Sequence, residues 1–150
     1  MLKALHVKTM SDLKRIEKIL DEYHDQEWDL WYLGPCDEIA NISREFSDKQ
    51  WDAFIESTKK EKPDDWRVML AHSFVEHHYG KSKSLVAFQV VKCRGYMGSY
   101  CALQYMQDLQ GVPVWLKGAL AEKINSMLVK VGEQDKVLLN NILNECLTSM

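Results

Sequence analysis

Apolar residues recur at helical spacing along almost the whole chain, beginning with Leu13, Ile16, Ile19, Leu20 and Tyr23, whose steps of three and four place one stripe on one helix face. Thr9 with Asp12 offers a cap for that helix. Gly34-Pro35 breaks the next segment, and Ser47-Asp48-Lys49-Gln50 reads as a capping box opening a short helix that carries Trp51, Phe54 and Ile55. After the polar run Lys59-Lys60-Glu61-Lys62-Pro63, the spacing predicts a helix from Asp64 or Asp65, with Trp66, Met69, Leu70 and Phe74 inward, ending near Tyr79-Gly80. Another helix opens at Ser82 or Ser84 and runs through Leu85, Phe88 and Val91 to Gly95. The next begins at Gly98 or Ser99, buries Ala102, Leu103 and Met106, and stops at Gly111-Val112-Pro113. Pro113 suits a first helical turn, and the segment after it places Leu116, Leu120, Ile124 and Leu128 on one side before Gly132. A final helix from about Glu133 carries Val137, Leu138, Ile142, Leu143 and Cys146.

Strand candidates are few, since Leu5 to Val7 is too short and Val90-Val91 lies inside a helical period. The expectation is one all-α domain over 1–150, its short connections folding successive helices back as antiparallel hairpins. A shift of 31 residues pairs Leu70 with Cys101, Ala71 with Ala102, Phe74 with Tyr105, Leu85 with Leu116 and Ala87 with Gly118. Both helices of a hairpin match at one offset, as in helical solenoids, although any two amphipathic helices align at some offset.

The residues Asp64-Asp65-Trp66-Arg67-Val68-Met69-Leu70-Ala71-His72-Ser73-Phe74 resemble the acidic turn and arginine-bearing first helix of a HEAT-like repeat, and the stretch from Tyr96 to Met106 is similar. The second copy has Gly98 where Arg67 stands in the first. Small acidic helical proteins of this type resemble the immunity proteins of bacterial polymorphic-toxin and contact-dependent growth-inhibition systems. That resemblance implies a right-handed HEAT-like stack of hairpins, and a protein that shields its own cell by occluding one cognate toxin domain, often a nuclease.

A chain of 150 residues with 46% hydrophobic content is long enough for one complete core. Its formal charge of −3, from 22 acidic against 19 basic side chains, argues against binding nucleic acid by neutralising phosphates. Cys36, Cys93, Cys101 and Cys146 show no C-x-x-C spacing, so they match neither a zinc knuckle nor a redox pair, and read as reduced packing residues. No run approaches the ~18 apolar residues of a transmembrane helix, and the first residues lack the apolar core of a signal peptide. The expected setting is cytoplasmic, without membrane contact, as a monomer or weak dimer.

Charge distribution sharpens this picture. Between Lys18 and Arg44 there is no lysine or arginine, while Asp21, Glu22, Asp25, Glu27, Asp29, Asp37 and Glu38 fall there, interleaved with Tyr23, Trp28, Trp31 and Tyr32. Carboxylates steer a basic partner and aromatic rings give contact area on arrival. The candidate docking residues are therefore Asp21, Glu22, Asp25, Glu27, Trp28, Asp29, Trp31, Tyr32, Asp37 and Glu38, facing a basic protein such as a toxin domain. The spacing of Trp28, Trp31 and Tyr32 equally suits a core stripe with the acids in water.

Catalytic chemistry finds less support. The run His72-Ser73-Phe74-Val75-Glu76-His77-His78 has neither H-E-x-x-H nor H-x-x-E-H spacing; His72 and Glu76 would share a helix face, but two ligands make a poor metal site. A metal-dependent enzyme at His72, Glu76 and His77 is the weakest of three readings, behind an inhibitor of a basic protein and a helical-repeat adaptor. No nucleophile elbow or phosphate-binding glycine loop occurs, and Asp21-x-x-His24 lacks the paired motifs of a di-iron bundle. Cys36 is the one cysteine expected at the surface, where Asp37 beside it raises the thiol's pKa and disfavours reactivity. No cofactor and no metal are expected.

Overall fold

The computed structural model describes residues 2–149, with side chains from 7 to 149, and within them the chain is all helical with no strand. Nine helices follow in order: α1 (Leu2–Tyr23), α2 (Trp28–Tyr32), α3 (Pro35–Ser43), α4 (Asp48–Ser57), α5 (Asp64–His72), α6 (Ser82–Lys92), α7 (Tyr96–Leu103), α8 (Val114–Leu128) and α9 (Glu133–Thr148).

Local chemistry accounts for several boundaries. Ser47 accepts from the Gln50 backbone N–H at 3.3 Å while the Gln50 side chain accepts from the Ser47 N–H at 2.9 Å, the reciprocal capping box that starts α4. Pro35 occupies the first turn of α3, and Pro113 stands as the cap residue before α8 rather than inside its first turn. Three further sequence expectations are corrected. Thr9 does not cap α1: the helix is already under way at Leu2, and the Thr9 hydroxyl instead accepts from Gln50 Nε2 at 3.0 Å. The helix of Trp66 ends at His72 rather than near Tyr79, because the chain turns there while Phe74 stays fully buried. The Tyr100 helix opens at Tyr96, ahead of Gly98, and stops at Leu103, leaving Met106 half-buried.

Side-chain bonds give the helices their relative sense. Arg67, early in α5, reaches Gln89, late in α6, so these two run antiparallel. Lys117 near the start of α8 donates to the Ser149 carbonyl just past the end of α9, which makes α8 and α9 antiparallel as well. Asp64 at the start of α5 accepts from the Arg94 and Gly95 backbone N–H groups at the entry to α7, both at 2.8 Å, so α5 and α7 run side by side in one direction. Lys123 of α8 donates to the Cys93 carbonyl at the end of α6 at 2.6 Å, giving α6 and α8 the same parallel relation. Helices separated by the 31-residue offset thus lie against one another.

The buried side chains form one contiguous cluster from Leu13, Ile16 and Leu20 of α1 through Trp51, Phe54, Trp66, Leu70, Phe74, Leu85 and Leu103 to Leu116, Leu120, Ile124 and Leu139. Within it Arg67 is 2% exposed and donates to the carbonyls of Thr58 at 2.9 Å and Lys60 at 2.8 Å and to Gln89 Oε1 at 2.8 Å. Its guanidinium therefore closes the carboxyl end of α4, where free carbonyls and the helix dipole favour a cation. No described helix is long and apolar enough to cross a membrane.

Candidate functional site

Helix α1 packs on α3 and α5, and α2 packs on α3, which turns the chain from 21 to 38 into a corner. Trp31 is fully buried there and is no docking residue: its indole N–H donates to His72 Nδ1 at 3.2 Å. Its neighbours stay outside. Trp28 is 38% exposed and Tyr32 57%, joined by Leu30 at 42% and Leu33 at 81%, two residues that the aromatic pattern did not single out.

The acidic set divides in space as well. Asp21 accepts from Trp66 Nε1 at 3.0 Å and lies 3.6 Å from Lys62 Nζ, which also bonds Glu17, while Glu38 pairs with Arg15. The stretch that carries one sign along the sequence is thus partly neutralised by bases from outside it. Glu22, Asp25, Glu27, Asp29 and Asp37 are exposed and make no ion pair among the described residues. What remains along the corner is five solvated carboxylates and four exposed apolar side chains.

Beside it opens a cleft of about 390 Å³, lined among others by Tyr32, Cys36, Asp37, His72, Glu76 and Tyr79. His72 closes α5 and is packed edge-on by Trp28, Tyr32 and Tyr105, with ring centroids 5.3, 5.1 and 5.0 Å away. Because the indole N–H can only donate, His72 Nδ1 is an acceptor, and a neutral ring carries its proton on Nε2. Burial pushes the His72 pKa below its ordinary value against the opposing charge of Glu76, so the neutral form is the favoured one.

Cys36, in the first turn of α3, sets its Sγ 3.5 Å from His72 Nδ1 and 3.9 Å from the His72 carbonyl. No spacing rule marks this pair, which lies 36 residues apart in sequence. It has the outline of a nucleophile and its base but not the electrostatics. Burial, then Asp37, then Glu76 push the thiol up to about 12, and the imidazole lone pair is already held by Trp31.

The histidine run is dispersed by the end of α5. His72 and Glu76 do not share a helix face, because the helix stops at His72. His77 is exposed, while His78 donates from Nε2 to the Tyr105 carbonyl at 3.2 Å and accepts from the Ser82 hydroxyl at 3.0 Å. Among the described residues no three His, Cys, Asp or Glu side chains are gathered as metal ligands. Comparisons with protein-family models, curated proteins and solved structures found no match.

Proposed function

We propose that this chain is a non-enzymatic inhibitor that docks a basic protein domain on the corner made by the end of α1, helix α2 and the first turn of α3. The observation that carries this is the exposure of Trp28, Leu30, Tyr32 and Leu33, with the Trp28 and Tyr32 ring centroids 6.0 Å apart, in a stretch where Glu22, Asp25, Glu27, Asp29 and Asp37 are also exposed. Grouped large apolar side chains rimmed by polar residues mark interaction sites, and a rim of one sign selects an oppositely charged partner and speeds encounter. The cytoplasmic immunity proteins that the sequence resembles would use such a surface to occlude a cognate toxin domain, of nuclease type, whose own phosphate-binding groove is basic. The parallel stacking of α5 on α7 and α6 on α8 favours, as a second reading, a helical-repeat adaptor with several partners.

The test is association kinetics at two ionic strengths between this protein and a basic toxin domain of nuclease type. Combining Asp25→Lys, Glu27→Lys and Asp29→Lys should slow association about tenfold or more and flatten its salt dependence, since exposed charges act on encounter. Unchanged rates in a folded variant would place the interface elsewhere. Capture of many unrelated partners, with none inhibited, would favour the adaptor.

A further inference from the structure

The cleft beside the docking corner has a distinct chemistry. Among the described residues no lysine or arginine lines it, whereas the exposed carboxylates of Asp37 and Glu76 both do, beside the exposed His77. Its inner wall is uncharged: Cys36 is a thiol, and His72, only 8% exposed, is engaged at Nδ1 by the Trp31 indole. One side is the ring of Tyr32, more than half exposed, which rests edge-on against His72 and is thereby held in place. Tyr79, on another side, already carries the Arg44 guanidinium over its ring at 5.4 Å, leaving Tyr32 as the ring open to an incoming group.

Neutral, partly apolar walls with two unpaired carboxylates and an aromatic face suit a planar cation. Guanidinium fits better than ammonium, since it stacks on rings, holds its hydration weakly and presents several donors to carboxylates at once. Arginine is also enriched among the side chains that dominate protein interfaces, typically seated in pockets at their centre. Tyr32 and Asp37 belong both to the cleft and to the corner described above, so a partner seated on the corner covers the cleft mouth. We propose that the cleft receives one arginine side chain of the basic partner, its guanidinium against Tyr32 and paired with Asp37 and Glu76. This deepens the docking role and rests on it. Glu76 is the informative residue, because it lies after α5, outside the acidic stretch, and no charge count along that stretch would include it.

The cleft can be probed without the partner, by titrating the isotope-labelled full chain with a blocked tetra-arginine peptide and with the tetra-citrulline peptide, which keeps the shape and removes the charge. Saturable amide shifts at Tyr32, Cys36, His72 and Glu76 are expected with arginine, and none with citrulline. The exposed, isosteric Glu76→Gln change should weaken the arginine peptide about fivefold, the worth of one partly solvated ion pair. Shifts confined to Trp28 through Leu33 and indifferent to Glu76→Gln would overturn the arginine site while leaving the docking corner intact, and no saturable binding would overturn the site as well. Kinetics with the toxin domain separate the two claims. If the cleft holds an arginine, Glu76→Gln speeds dissociation about fivefold. Unchanged dissociation, with association still slowed by the corner reversals, sinks only the cleft; indifference to both sets of changes sinks the docking role.

Discussion

Gly80→Ala is the substitution that most directly tests how the core is closed. Gly80 has φ of +45°, a left-handed conformation that costs a residue with a Cβ about 1–2 kcal/mol. A Cβ built there would fall onto the indole Nε1 of Trp51, with Cδ1 2.7 Å and Cε2 2.9 Å away. Trp51 has little room to yield. It is fully buried, stacked on Phe54 with centroids 5.8 Å apart, and met edge-on by Phe46 at 5.7 Å and Phe74 at 5.8 Å. Its Nε1 is buried without a hydrogen-bond partner among the described residues, so the close backbone approach that glycine allows fills space there without satisfying the group. Overpacking a tight core costs about 1–3 kcal/mol, and adding the backbone term puts Gly80→Ala at roughly 2–5 kcal/mol. Urea unfolding followed by tryptophan fluorescence gives this number directly, and near-ultraviolet circular dichroism reports whether the ring shifts. Gly118→Ala is the matched control: it lies inside α8 with nothing within 4 Å of a new Cβ, and should stabilise by roughly 0.5–1 kcal/mol. A Gly80→Ala loss below about 1 kcal/mol with an unchanged aromatic spectrum would refute both the clash and the fixed position of Trp51.

Arg67→Met should destabilise by about 3 kcal/mol or more, since it strips the buried Thr58 carbonyl and Gln89 amide oxygen, and the part-buried Lys60 carbonyl, of donors together; a denaturant melt within about 1 kcal/mol of the parent would show that water takes their place. Stability should fall as pH drops from about 7 to 5. Burial lowers the pKa of both His72 and His78 below the ordinary 6.5, so between that value and the lowered ones the unfolded chain binds more protons. The contribution is fully present above 6.5 and lost progressively on acidification through the folded values, with a slope of at most about 1.4 kcal/mol per pH unit for each histidine. Melts of the parent and of His72→Gln across this window check it, the variant losing part of the slope; a flat profile in the parent would contradict neutral buried imidazoles.

Helical periodicity made the all-α class and most core positions legible, because burial follows a 3.6-residue repeat whatever the helices pack against. Boundaries were legible only where their cause is local. The Ser47–Gln50 box is read from four consecutive residues. The start of α7 is not, because the carboxylate that binds the Arg94 and Gly95 N–H groups belongs to Asp64, 30 and 31 residues earlier. Gly98 makes this possible, since a Cβ there would come within 2.7 Å of Asp64 Oδ2. The departure from the arginine of the first hairpin thus has a cause that only the packed pair reveals. At the end of α5 the apolar period misleads in the opposite way: Phe74 continues the inward stripe and is fully buried, yet the chain has already left the helix.

The corner shows why a charge count along the chain overstates a field and why ring spacing alone does not locate a surface. Lys62 and Arg15 lie outside the base-free stretch, and the packing of α1 on α3 and α5 delivers them to Asp21 and Glu38. For the rings, each helical residue turns about 100°, so Trp31 and Tyr32 point about 100° apart while Trp28 falls between them. In a helix of five residues that is enough for the core boundary to pass through the trio, burying Trp31 and leaving the other two rings out. The split is also what couples them. Trp31 holds His72 through its indole N–H, and Trp28 and Tyr32 lean on the same imidazole from outside, so the exposed rings rest on a buried, hydrogen-bonded support. Rings fixed before a partner arrives give up less conformational freedom on binding, which favours these two over the far more exposed Leu33 as anchors of the corner.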